Sequence, residues 1–86
     1  MKVTLENLGT VNKNVVCLRK GDNKLYIYFS YETPIAYEYQ METICRKNDW
    51  SVTTGKFMNT LEADKSKRID GEVFEAKLDE LLSKLF

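Results

Sequence analysis

Residues 24–39, KLYIYFSYETPIAYEY, alternate too regularly to be anything but sheet. Leu25, Ile27 and Phe29 project one way, Tyr26 and Tyr28 the other, a period of two that defines a strand with one buried face. The chain's single proline, Pro34, interrupts the stretch. It cannot donate to a ladder and pushes Thr33 into extended geometry, so Tyr31–Pro34 reads as a connection. A second alternation follows, with Ile35, Tyr37, Tyr39 and Met41 set against Ala36, Glu38 and Gln40. Two hairpin registers compete. A three-residue loop, Glu32-Thr33-Pro34, pairs Phe29 with Tyr37, Ile27 with Tyr39 and Leu25 with Met41, leaving Tyr28 opposite Glu38 on the wet face. A two-residue loop sets Glu38 opposite Ile27 in the core. Because a one-residue slip exchanges the faces, the first register is expected, although its loop lacks a glycine for positive φ.

The rest of the chain arranges itself around this hairpin. Val3 and Leu5 alternate with Thr4 and Glu6, predicting a first strand over 2–8. Val15–Arg19 is a β-branched run and a second strand, and Gly21-Asp22-Asn23 is a turn leading into the strand at 24–31. A fifth strand over 43–47 closes at Lys47-Asn48-Asp49. From residue 51 the punctuation changes: Ser51, Thr53 and Thr54 are good N-caps, and Phe57, Met58 and Leu61 fall at helical spacing, predicting a helix over 54–65. Lys65-Ser66-Lys67-Arg68 is a basic connector. Asp70 caps a last helix, with Ile69 and Phe74 as its hydrophobic staple and Phe74, Leu78, Leu81, Leu82 and Leu85 as its apolar stripe. The predicted fold is α+β: an antiparallel sheet of four or five strands followed by two C-terminal helices packed on one face. It forms a single domain over 1–86, strand-rich over 1–49 and helical over 54–86.

Composition narrows the function classes. Thirteen basic and thirteen acidic residues give a formal charge of zero, which argues against tight, non-specific nucleic-acid binding. No apolar run is long enough to span a membrane and Met1-Lys2-Val3-Thr4 does not open a signal peptide, so a cytoplasmic protein is expected. Cys17 and Cys45 read as reduced thiols, with a disulfide as the alternative. Two cysteines without a histidine do not make an ordinary zinc site, and no cofactor is implied. The carboxylates Glu72, Glu75, Asp79 and Glu80 read as a solvated helix face, not a catalytic pair.

Ser30-Tyr31-Glu32-Thr33-Pro34-Ile35-Ala36, followed by Trp50-Ser51-Val52-Thr53-Thr54-Gly55-Lys56 and Asn59, resembles a family of small proteins from phages, plasmids and other mobile elements. That family carries an SYxTPxA segment, a spacer, and a WSxTTGK segment leading into a helix. The resemblance covers residues 24–60. The family is functionally uncharacterised, so the resemblance implies an origin and supplies no mechanism. Members often carry histidine where this chain has Phe57, so any role of that imidazole as base or ligand is absent here.

The motif residues Tyr31, Thr33, Trp50, Ser51, Thr53, Thr54, Lys56 and Asn59 are the candidate binding set; none is read as catalytic or as a metal ligand. Thr53-Thr54-Gly55-Lys56 at a helix start brings hydroxyls, backbone N–H groups and an ammonium together, which suits an anion. It is not a Walker loop, because Trp50 stands where glycine is required and Phe57 follows the lysine. The competing reading is architectural: a threonine caps the helix, Gly55 allows close packing and Trp50 plugs the junction. Tyr26 and Tyr28 on the wet face serve either sheet stability or an interface.

The expected function is a non-enzymatic binding module of a mobile element that binds a host or phage protein in the host cytoplasm, with inhibition of that protein as an option. A homodimer is expected as well, from the aromatic sheet face and zero charge. The alternatives are a nucleic-acid accessory protein using Lys65, Lys67, Arg68 and exposed tyrosines, and a phosphate or nucleotide binder using the Thr53–Lys56 turn.

Overall fold

The structure is a computed structural model describing residues 1–9, 12–49 and 52–86, Val52 by its backbone alone. It is an α+β fold in which five strands precede two helices: β1 (Lys2–Asn7), β2 (Lys13–Lys20), β3 (Asn23–Ser30), β4 (Thr33–Tyr39), β5 (Glu42–Cys45), α1 (Val52–Leu61) and α2 (Gly71–Leu85). The strands form one antiparallel meander in the order β1-β2-β3-β4-β5. A short 3-10 turn, Lys65–Lys67, lies between the helices.

The central hairpin takes neither expected register. Leu25 faces Tyr39, Ile27 faces Tyr37 and Tyr28 faces Ala36, after which the ladder steps by one so that Phe29 faces Pro34 and Ser30 faces Thr33. Ile35 is the extra residue of a β-bulge. The connection is therefore the two-residue turn Tyr31-Glu32, with Tyr31 in the left-handed region (φ 56°) that favours glycine. The bulge reconciles a short turn with an apolar face: it absorbs the odd residue, keeping Leu25, Ile27, Tyr37 and Tyr39 together. Tyr28 stands beside Ala36, not Glu38, and Tyr26 takes the place opposite Glu38.

The alternation over 35–41 also predicts a strand that runs through Met41. The chain instead turns at Gln40-Met41, both at positive φ (52° and 65°), and Met41 is 99% exposed. A tight hairpin without Gly, Asn or Asp at its tip carries no turn signal in the sequence.

The helices divide between the two faces of the sheet, where one shared face was expected. α2 lays Phe74 and Leu78 on Leu25, Ile27 and Tyr37, with Leu81, Leu82 and Phe86 around them. α1 lays Phe57 and Met58 on Ala36, Cys45 and the bulged Ile35. Cross-strand pairs put Tyr28, Ala36 and Cys45 on the face opposite Ile27, Tyr37 and Ile44. The reason lies in β4 and β5, which are apolar on both sides at this end, so each side needs a cover. The connector makes this possible by rounding the β5 edge, where Ile69 N–H donates to Cys45 O (3.0 Å) and Lys47 N–H to Ile69 O (2.8 Å).

Of the residues expected in the core, Leu25, Ile27, Phe74 and Leu78 are buried, Phe29, Leu61 and Leu81 are half-buried, and Trp50 lies outside the described residues. Both cysteines are buried free thiols. They sit on strands separated by two others, on the order of 14 Å apart at the ladder spacing, beyond the reach of a disulfide. Among the described residues no helix is long and apolar enough to cross a membrane.

Candidate functional site

α1 begins at Val52, two residues before the expected start, so Thr53-Thr54-Gly55-Lys56 lies inside the helix. Four consecutive helical residues point in different directions, and the motif divides accordingly. Thr54 turns inward, 4% exposed, and its Oγ1 shares a hydrogen bond of 3.0 Å with Ser30 Oγ, itself 5% exposed. It knits α1 to the end of β3. Gly55, Lys56 and Asn59 face the other way and line a cavity.

This cavity, about 710 Å³, opens between the segment after β5, α1 and the connector. Lys47 and Asn48 contribute one wall, Gly55, Lys56 and Asn59 the second, and Lys65 and Arg68 the third. Its size falls within the usual range for small-ligand sites, roughly 300–1,000 Å³. Its lining is cationic: three lysines and an arginine, with no carboxylate, thiol or aromatic ring among the described lining residues.

Each cation is held differently. Arg68, 6% exposed, is fixed by donating from Nη2 to Asn59 Oδ1 (2.7 Å) and to Glu62 O (2.9 Å), with Nε also on Glu62 O (3.2 Å). Its charge is thus built into the floor on neutral acceptors, its guanidinium uncancelled by a carboxylate in any of these bonds. Lys47 Nζ pairs with Asp70 Oδ1 at 2.9 Å, and that hydrogen bond raises its pKa above the ordinary 10.5. The same contact explains why Asp70 makes no side-chain cap on α2 although it occupies the N-cap. Lys56 and Lys65 are exposed, and among the described residues no carboxylate stands within ion-pair distance of either.

Gly55 has a steric reason to be glycine. A Cβ there would stand 2.8 Å from Asn48 Nδ2, so the bare backbone lets the loop side chain lie over the helix. On the far side of α1, burial raises the Cys45 thiol pKa, an effect only partly opposed by the nearby Arg68 charge. A raised pKa lowers the thiolate fraction, and the side chain packs in the α1 cluster.

The remaining candidates lie elsewhere. Tyr31 is exposed at the hairpin turn, Thr33 is half-buried at the start of β4 and Thr53 is exposed on α1; none lines the cavity. Trp50 and Ser51 lie outside the described residues. Tyr28 packs against the α1 cluster, which removes it as an open stacking platform. In the sequence Lys47 and Asn48 stand at the end of a strand and its turn, and Lys65 and Arg68 in a separate basic connector. What brings them beside Lys56 is the pairing of that connector with β5, which no spacing in the sequence announces.

Fold and cavity together define a small α+β domain with a cationic pocket at one corner. The chain belongs to a family of unknown function, DUF8033, whose model matches residues 3–76. That span takes in all of the sheet but Lys2, together with α1, the connector and the first six residues of α2. No curated protein matches the chain, and no solved structure matches it.

Proposed function

We propose that this protein is a binding module that holds a phosphate-bearing ligand in the Lys47–Arg68 cavity. The observation carrying the reading is the cavity's charge: four cationic residues converge on it, with no carboxylate among its described lining. Lysine ammonium groups act as point charges towards phosphate oxygens, the fixed Arg68 adds a permanent positive charge, and the Asn48 and Asn59 amides add neutral polar groups. The described lining pairs its lysines with no carboxylate, histidine, thiol or hydroxyl that could act beside them on a bound group, so the cavity is read as a binding site. The phosphate-binding role expected of the Thr53–Lys56 turn thereby passes to a three-walled site that keeps only Gly55 and Lys56 from that turn. The mobile-element setting implied by the paired motifs is compatible with this role and forms part of the proposal.

Thermal shift and calorimetry with inorganic pyrophosphate, a nucleoside triphosphate, a short single-stranded oligonucleotide and an acidic peptide test it. A ligand at 100 times its dissociation constant adds about 2.7 kcal/mol, which in a chain this small raises Tm by roughly 10 °C or more. We expect phosphate probes to give such a shift and the acidic peptide a smaller one. The triphosphate and the oligonucleotide separate a free nucleotide from a nucleic-acid backbone as the source of the phosphate. Lys56→Gln should leave the unliganded Tm unchanged and weaken binding about tenfold. Equal binding by wild type and Lys56→Gln overturns the proposal, as does the absence of any shift with all three phosphate probes.

A further inference from the structure

The two edges of the sheet are finished differently. At β5 the connector covers the edge through Ile69. At the other edge all six residues of β1 are exposed, and β2 is its one strand neighbour among the described residues. Val3 is 54% and Leu5 73% exposed. An open edge with apolar side chains invites strand pairing unless charge, proline or a bulge blocks it; β1 contains neither proline nor a register shift, and its two charges, Lys2 and Glu6, are of opposite sign.

The direction of its open groups follows from the ladder. Leu8 N–H donates to Lys13 O at 2.8 Å, so Leu8 and Lys13 are a hydrogen-bonded pair. The pairs in phase with it are Glu6 with Val15, Thr4 with Cys17 and Lys2 with Arg19. The backbone groups of Val3 and Leu5 therefore point outward, away from β2. Val3 and Leu5 side chains project to the α2 side of the sheet, because Val3 faces Leu18 and Leu18 faces Leu25. Lys2, Thr4 and Glu6 project to the other side.

We propose that β1 pairs antiparallel with β1 of a second copy of this chain, about a two-fold axis at Thr4 normal to the sheet, joining two sheets into one of ten strands. The segment Lys2-Val3-Thr4-Leu5-Glu6 is complementary to itself about Thr4 in three independent respects. Reversed on itself, it sets Lys2 opposite Glu6 at both ends. It sets Val3 opposite Leu5 twice, so four apolar side chains meet on one face. It also makes Val3 and Leu5 the hydrogen-bonded pairs, the positions whose N–H and C=O groups are directed outward. Lys2 and Glu6 then fall at non-hydrogen-bonded pairs, where opposed side chains approach most closely. Centring the axis on Leu5 sets Lys2 against Leu8, and an in-register parallel pairing stacks like charges. The homodimer expected from an aromatic sheet face is proposed at this edge instead, since Tyr28 of that face packs against the α1 cluster. This surface is separate from the cationic cavity, and the two proposals stand or fall independently.

Sedimentation velocity from about 10 µM to about 1 mM, the range for a small interface of this kind, provides the test. The mass should rise from 10.0 kDa towards twice that value with concentration. Lys2→Glu and Glu6→Lys should each weaken association about fivefold or more, and the double swap should restore it. Leu5→Pro removes an outward N–H alone, so it should give a monomer whose circular dichroism matches wild type. If that variant unfolds, Thr4→Cys keeps the question open to measurement: mild oxidation should link two copies at residue 4. A monomer throughout the range overturns the proposal. So does a dimer that survives Leu5→Pro, or association indifferent to the charge swap, or a Thr4→Cys variant that does not cross-link.

Discussion

Ser30 and Thr54 belong to different motifs, 24 residues apart, yet their hydroxyls share one buried hydrogen bond. Thr54→Val keeps the shape and leaves Ser30 Oγ without that partner, which should cost about 1–3 kcal/mol in urea melts. Adding Ser30→Ala should cost less than the sum of the two single changes; strict additivity would show that the pair does not act as a unit. Gly55 tests the other side of the helix. In Gly55→Ala the propensity gain of about 1 kcal/mol opposes the displacement of Asn48, so stability should stay within about 1 kcal/mol of wild type. Pyrophosphate affinity should nevertheless fall about threefold, because a wall of the cavity moves; unchanged affinity would make the position of Asn48 immaterial. At this scale the sequence singled out Thr54, Lys56 and Asn59 and said nothing of where each points. Thr54 and Lys56 stand two apart in one motif, and only the helix phase sends one into the core and the other to the cavity.

The elements differ in how well each announced itself. β2, β3 and α2 were legible because their side-chain periods are long and clean, and Ile69 and Phe74 both join the α2 cluster as the staple pattern suggested. Leu78 sits on that stripe at 5% exposure, so Leu78→Ala should cost about 2–5 kcal/mol. A loss below about half a kilocalorie in urea would mean that α2 does not bear on the sheet. The β4–β5 turn was illegible, since its tip is Gln40-Met41. Left-handed geometry costs a non-glycine residue roughly 1–2 kcal/mol, so Gln40→Asn with Met41→Gly should stabilise the protein by about 1 kcal/mol or more. In a chain of this length that is a rise in Tm of about 4–8 °C. A fall in Tm would show that Met41 has a role at the tip that its exposure conceals. The bulge at Ile35 was illegible for a different reason: whether an odd residue is absorbed in the turn or in the strand depends on what both faces must bury.

Across the whole molecule a formal charge of zero conceals segregation. The cavity corner gathers Lys47, Lys56, Lys65 and Arg68, while the exposed side of α2 carries Glu72, Glu75, Asp79 and Glu80. Net charge alone therefore gave little guidance about an anion site. The titrating groups predict a broad stability plateau. Burial raises the Tyr28 and Tyr37 pKa values above 10.0 and the Cys45 value above 9.0, so the folded state holds these protons more tightly than the unfolded chain. Their contribution is fully present below those ordinary values and is lost as pH rises through the raised ones. Asp64 runs the other way: hydrogen bonds from Ser66 lower its pKa below 3.8, so its contribution is present above that value and lost in acid. The chain has no histidine to titrate between. The urea midpoint should stay flat from about pH 5 to 8.5 and fall on either side; a step near neutrality would contradict this.

By itself the sequence determined the class of the fold, the order of its elements and the residues of its paired motifs. These depend on local rules: a period of two makes strand, a period near 3.6 makes helix, and each acts over a few neighbours. The tertiary structure alone decided which face each helix covers, where the hairpin absorbs its odd residue and that Lys47, Lys56, Lys65 and Arg68 share one cavity. Those outcomes depend on contacts between segments far apart in the chain. Ile69 pairing with the edge of β5 is the clearest of them: it carries the chain from one face of the sheet to the other and closes the third wall of the site.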